Sequence, residues 1–158
     1  LNLGIGGALA HELKLGMAVL SEACILADEG TPLATKNACD QSWRSLEDAG
    51  FAKLKFPSNK SAWWQFLSGL VDRTGPIATI STISGNLTLA QEYVDRTFAV
   101  AEAMEGASIA AVCDHFQIDF AELRTISNIC GNSNREENPW DFGSALGRLK
   151  RLAASLID

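Results

Sequence analysis

Glu105 sits in the run "AEAMEGASIAAVC", where almost every neighbour is small and apolar. An acid in that setting has two readings. Near a helix N-terminus the macrodipole favours negative charge by roughly 0.3–1 kcal/mol, and acids there are common. At the end of a strand, a carboxylate can instead accept two hydrogen bonds from a vicinal diol, as acidic residues do for ribose hydroxyls. Residue type alone does not choose between them. Met104 beside it either gives a ligand a soft apolar wall or, the commoner fate of methionine, packs in the core. Asn128 follows the strand-like "LRTIS" and is by pattern a turn residue, but its amide can also present a donor and an acceptor to a planar heterocycle. The "GIGG" run around Gly6 and Gly7 is too short for a dinucleotide fingerprint, although backbone amides there could approach a ligand closely.

The elements that must position these residues follow from hydrophobic periodicity. The start, "LNLGIGGALA", reads as the end of a strand entering a Gly-rich turn, and "LGMAVLSEACILAD" as a strand closed by the turn chemistry of "DEGTP". Residues 30–60 read as a long polar loop around a short amphipathic turn at "RSLEDAGF". Trp63, Phe66, Leu67, Leu70 and Val71 recur at helical spacing and predict a helix with one apolar face, closed by "RTGP". Next come a buried strand "PIATISTIS", a helix "GNLTLAQEYVDRT" capped by Asn86 or Thr88, and a strand "FAVAEAM". A helix "EGASIAAVCDHFQ" then carries Ile109, Val112, Cys113 and Phe116 on one side, and a strand "DFAELRTIS" leads into a loop. A C-terminal helix from Trp140 lines up Phe142, Leu146, Leu149, Leu152, Ala153 and Leu156. Alternating strands and helices predict a single α/β domain over 1–158, with a largely parallel sheet covered by helices. Ligands bind beyond the strand ends of such sheets, which places residues 4–7, 81–86, 102–106 and 126–132 on one rim.

Composition narrows the partners. The chain has 158 residues, 47% hydrophobic and 20% charged, enough for one core. A net charge of −6 argues against nucleic acid. No apolar run approaches the ~20 residues that span a bilayer, and nothing reads as a signal peptide, so a cytoplasmic protein without membrane contact is expected. The four cysteines include no C-x-x-C pair and lack zinc spacing with His11 and His115; no metal or cofactor is expected. Cys24 and Cys113 read as small core residues.

Two motifs in order, "AEAMEGASIAAVC" and then "LRTISN", resemble the signature pair of the nucleoside phosphorylase and nucleosidase superfamily. Within it, "STISG", "AEAMEG", "ISN" and "NREENPW" are most similar to segments of the futalosine hydrolase family, and "RSLEDAGF" resembles that family too. The resemblance implies a nucleoside phosphorylase-like fold, with a mixed, largely parallel sheet flanked by helices. It implies a nucleoside as small-molecule substrate, a homo-oligomer, and hydrolysis of the N-glycosidic bond of futalosine to hypoxanthine, in menaquinone biosynthesis. Carried over, Glu105 is the ribose-binding glutamate, Met104 its sugar and base neighbour, and Asn128 the base-recognition residue, with Ser127 beside it. Gly6 and Gly7 fall next to base and water, and Ile83, Ser84 and Gly85 on the pocket wall. Arg135 is placed to pair with a benzoate on the sugar side or to stay solvated. An amide at 128 suits the oxo group and ring N–H of hypoxanthine, where an aspartate would suit adenine.

The sequence also departs from the resemblance. It corresponds to the C-terminal two thirds of the family domain and begins without Met, so a fragment or a truncated form is expected, without the glutamate that activates water. Loss of a general base costs about 10²–10⁴ in rate, so weak or no activity and an exposed sheet edge are expected of these residues alone. A phosphorylase of 6-oxopurine nucleosides, or a nucleoside-binding module with impaired catalysis, are the alternatives.

Overall fold

The computed structural model describes residues 1–33, 43–58 and 62–156. Its strands are β1 (Asn2–Ala8), β2 (Ala18–Leu26), β3 (Gly30–Pro32), β4 (Trp43–Ser45), β5 (Lys55–Pro57), β6 (Arg73–Thr79), β7 (Ala101–Ala103) and β8 (Glu122–Ile129). Its helices are α1 (Ala62–Ser68), α2 (Leu87–Thr97), α3 (Gly106–His115) and α4 (Phe142–Ala154). No described helix is long and apolar enough to cross a membrane.

Six strands form one mixed sheet in the order β5-β2-β6-β7-β1-β8, and β8 pairs again with β2. The sheet therefore closes into a ring of β2, β6, β7, β1 and β8, with β5 attached to β2. The two longest ladders, β1/β8 and β2/β6, are parallel, while β1/β7, β2/β5 and β2/β8 are antiparallel. Closure removes the exposed edge expected of a shortened sheet from most of the ring strands; among the described residues, β5 remains an outer strand. One apolar cluster draws Ala8, Val19, Ile77, Ala101, Ala103 and Ile126 from all five ring strands. Three of the five strands contribute only alanine or valine, because a five-stranded interior is narrow.

Side chains alternate across β2. Val19 faces the ring interior, while Ala18 and Leu20 pack outward with Leu67 of α1 and Leu152 of α4. Farther along, Cys24 packs with Phe56 of β5 and with Ala107 and Ala110 of α3. Tyr93 of α2 covers Ala78 and Ile80. Asn86 caps α2, accepting from the Leu89 N–H at 2.9 Å, which decides between the two caps foreseen. Asp141 caps α4 through Ser144, whose hydrogen bonds hold this carboxyl below the ordinary carboxylate range.

Several expectations change. The "GIGG" segment is no turn; it lies within β1, in a full register with β8. The "RTGP" read as a helix terminator begins β6, and α1 stops at Ser68. The long loop contains β3, β4 and β5, and part of it, residues 34–42 and 59–61, lies outside the described residues. The apolar side foreseen for α3 is the wrong one: Val112 is 57% and Phe116 65% exposed, and the buried face is Gly106, Ala107 and Ala110. Small residues win that face because α3 lies close on the sheet, with the buried Glu122 carboxylate against Gly106. Trp63 and Phe66 of α1, and Phe142 and Leu146 of α4, are likewise exposed, while Leu67 and Leu152 are buried. Cys24 is buried as expected; Cys113 is only half-buried.

The close seat of α3 is testable. A Cβ at Gly106 would collide with Glu122, so Gly106→Ala should cost about 1–3 kcal/mol, the usual penalty of overpacking. Urea unfolding measures it, and an unchanged midpoint would mean that α3 has room to shift.

Candidate active site

The segments foreseen on one rim do meet, but not at a common strand edge. Because β1 runs antiparallel to β7, Gly7 stands opposite Glu102 and Ala8 opposite Ala101, so the last residues of β1 lie along β7. A cleft of about 260 Å³ opens there. It is lined by Ile5, Gly6 and Gly7 of β1, by Ile80 and Ile83, by Glu102, Ala103, Met104 and Glu105, and by Ser127, Asn128 and Trp140.

Local backbone chemistry explains each placement. The β1/β8 register pairs Gly6 with Ile126 and then Gly7 with Asn128, which leaves Ser127 as an extra residue in β8. A bulge of this kind re-aims side chains, and here it lets two consecutive residues, Ser127 and Asn128, both reach the cleft. The bulge is pinned from both sides. The Ser127 carbonyl accepts the Asp141 N–H at 2.7 Å, and its hydroxyl lies 3.2 Å from the Gly6 carbonyl and 3.0 Å from Asn128 Oδ1. The glycines are bare for a reason: a Cβ at Gly6 would meet the Glu102 carbonyl at 2.7 Å, and one at Gly7 would meet Cys130 Sγ at 2.6 Å.

The loop carrying Ile83 is tied down at three points. Asp28 accepts from the Ser81 N–H at 2.6 Å, Tyr93 donates to the Thr82 carbonyl at 2.8 Å, and the Gly131 N–H bonds the Ser84 carbonyl at 2.9 Å. Ser84 itself faces away from the cleft opening, donating through Oγ to Glu102 Oε2 at 2.5 Å. Burial, with the Glu102 charge adding to it, pushes the neighbouring Cys130 thiol up, so it stays protonated.

Glu105 occupies the N-cap position of α3 but makes no cap hydrogen bond. That duty has passed to Thr79 of β6, whose Oγ1 accepts the Ala107 N–H at 2.8 Å. The Glu105 carboxylate turns instead to Arg124, with Oε2 2.9 Å from Nη2, and remains 58% exposed. Arg124 is 5% exposed, and its Nε donates to the wholly buried Glu122 at 2.7 Å. Glu122 also accepts from the Cys24 thiol at 2.8 Å, and burial together with the Glu122 charge pushes that thiol up. The arrangement holds a half-exposed acid beside the cleft, with Oε2 paired to a buried positive charge. The carboxylate thus serves no helix cap and stays open to further hydrogen bonds from the cleft side.

Seven of the residues singled out in the sequence thus share one cleft: Gly6, Gly7, Ile83, Met104, Glu105, Ser127 and Asn128. Ser84 stands behind it and Gly85 leads away, bonded through its carbonyl to the Ser133 N–H. Arg135 is not among the lining residues; its guanidinium stacks 3.7 Å above the Trp140 ring. Sequence reasoning missed three residues. Arg124 lies four residues before Asn128 on β8 with the bulge at Ser127 between them, so period-two alternation does not connect the two. Glu102 is an acid in a small apolar run, the same signal that marked Glu105. Trp140 closes the "NREENPW" segment, whose resemblance could have marked it.

Comparison with known proteins agrees with this fold and sequence pattern. The chain is 29% identical over 156 residues to a futalosine hydrolase of Streptomyces coelicolor, covering 98% of this chain and 63% of that protein. It thus spans less than two thirds of that relative's length. Among solved structures, a futalosine hydrolase of Helicobacter pylori matches with a TM-score of 0.67 at 19% identity, over 97% of this chain and 67% of that one. A 5'-methylthioadenosine/S-adenosylhomocysteine nucleosidase of Helicobacter pylori, bound to butyl-thio-DADMe-Immucillin-A, matches with a TM-score of 0.67 at 20% identity, over 97% and 67%. At these identities the structural matches speak for the fold. The sequence follows the pattern of one family from residue 1 to residue 158, and the chain belongs to the phosphorylase superfamily.

Proposed function

We propose that this chain provides the sugar- and base-binding site of a nucleosidase that hydrolyses the N-glycosidic bond of futalosine and releases hypoxanthine, a step of menaquinone biosynthesis. The observation that carries the reading is Glu105: an acid at a helix start, relieved of capping by Thr79 and held by Arg124 at the mouth of a cleft whose other end is Asn128. The curated relative named above supports the choice of futalosine. In this reading Glu105 accepts the ribose hydroxyls, Met104 and Ile83 wall the sugar and base, and Ser127 and Asn128 face the base. Gly6 and Gly7 make room for the side chains that face the ligand, with Ser84 and Gly85 shaping the loop behind. Arg135 reaches the sugar-side acid only by leaving its stack on Trp140. The protein works in the cytoplasm as a homo-oligomer, the exposed Val112 and Phe116 of α3 and the exposed Trp63 and Phe66 of α1 being the apolar surface available for assembly.

The chemistry follows from an oxocarbenium-like transition state, the same type of cation that glycoside hydrolysis passes through. As the base departs, positive charge grows on the sugar. The Glu105 carboxylate, paired with the buried Arg124, stabilises it and fixes the hydroxyls.

Two experiments test this. Incubation with futalosine, with and without phosphate, should release hypoxanthine equally in both, and slowly for these residues alone, read by chromatography. Phosphate-dependent release would make the protein a phosphorylase, and binding without release a nucleoside-binding module. Glu105→Gln should weaken nucleoside binding and turnover about tenfold or more, the worth of hydrogen bonds to a charged acceptor, with an unchanged unfolding midpoint. Unfolding of that variant would assign Glu105 to stability instead.

A further inference from the structure

Two wholly buried ionisable side chains, Glu122 and Cys24, lie outside the cleft and have no part in the sugar and base contacts proposed above. They are nevertheless joined to it. The Cys24 thiol donates to Glu122 Oε2 at 2.8 Å, and Oε1 accepts from Arg124 Nε at 2.7 Å. A second bulge brings the thiol there: the β2/β6 register slips between Ser21 and Cys24, which sets Ser21 Oγ 3.2 Å from Cys24 Sγ, with Ser58 Oγ 2.6 Å behind it. Both carboxylate oxygens accept, so Glu122 carries its negative charge in the core. A charge so placed is kept only where donors satisfy it, and the start of α3 at Gly106, against which the carboxylate lies, favours it further.

Control along this chain of contacts runs outward from the core. Arg124 hydrogen-bonds Glu122, while its Nη2, although 2.9 Å from Glu105 Oε2, makes no hydrogen bond among the described residues. The contact with Glu105 is one of charge alone. Glu122 therefore fixes the guanidinium, Gly4 leaves it room, and the half-exposed Glu105 comes to it. The sum of charges matters as much as their places. One guanidinium stands between two carboxylates, so one negative charge is left uncompensated. Without Glu122 the guanidinium would be matched by Glu105 alone. Such a neutral pair still accepts hydroxyl hydrogen bonds, but it gives little to the positive charge that grows on the sugar.

We propose that Glu122, with Cys24 behind it, is the positioning and charge-balancing residue of the sugar site: it fixes the Arg124 guanidinium and takes up its charge, so that Glu105 meets the sugar with its own negative charge uncompensated. This rests on the nucleosidase reading and extends it to two residues that touch no ligand. Cys24 holds Glu122 in its charged form, because a hydrogen bond donated to a carboxylate favours ionisation. A thiol suits the place: it supplies the donor and still packs as a small apolar group against Phe56, Ala107 and Ala110.

The test is calorimetric binding of two ligands that resist cleavage: 9-deazainosine, whose sugar is neutral, and its analogue with a protonated secondary amine in place of the sugar ring oxygen. The wild-type protein should bind the cation about tenfold or more tightly than the neutral ligand. Glu122→Gln, of the same shape, should lose most of that preference while binding 9-deazainosine nearly as well, a split that loosened packing would not produce. Cys24→Ala should lose part of the preference, and Cys24→Ser, which keeps a donor, should retain it. Equal binding of the two ligands by the wild type overturns the proposal, as does an undiminished preference in folded Glu122→Gln. If that variant lacks a cooperative thermal transition, the Cys24 variants decide, and a wild-type preference in Cys24→Ala overturns it. Binding of both ligands without preference sinks only this proposal; binding of neither by the wild type overturns the nucleosidase reading with it.

Discussion

A single buried guanidinium ties the core of this protein to its cleft. Arg124 gives one edge to Glu122, which no solvent reaches, and another to Glu105, which is mostly in solvent. Two charges out of water cost several kcal/mol each unless their partners are well placed, and removing one partner of such a pair costs about 3–5 kcal/mol. Glu122, Arg124 and Asn128 share the line of one strand, so the residue that neutralises the core, the one that holds the sugar acid and the one that faces the base are set by one β8 register. Any slip of that strand would turn all of them away together.

The same register imposes a second constraint. Polar side chains as large as Arg124, Asn128 and Glu102 fit beside β1 only because Gly4, Gly6 and Gly7 carry nothing there. Closing the sheet into five strands narrows its interior to alanines and a few branched residues, which moves the larger side chains outward under the helices or into the cleft. The bulge at Ser127 resolves what is left. It spends one unpaired backbone position to aim two neighbouring side chains at one ligand, and Asp141, the cap of α4, satisfies the carbonyl so exposed.

This division explains what the sequence disclosed. Order and kind of the main elements were legible from periodicity, and "AEAMEG" with "LRTISN" marked the two residues around which the cleft forms. Ring closure was not legible, because the β2/β8 pairing joins segments far apart in sequence and leaves no local pattern. The buried face of α3 was misread for a related reason. Large apolar residues normally mark the inner face, but here the Glu122 carboxylate and the close sheet admit only Gly106, Ala107 and Ala110. Glycines in "GIGG" carried the signature of a turn, while their role is to make room for side chains of another strand. Glu102 and Arg124 went unnoticed since a charged residue inside a strand shows its purpose only once its partners are known.

The most direct measurement is the structure of the protein crystallised with inosine. The account places the ribose hydroxyls on the Glu105 carboxylate and the base against Asn128. Inosine seated instead in the larger cleft of about 540 Å³ walled by Trp43 and Arg96, or bound with its ribose away from Glu105, would contradict it.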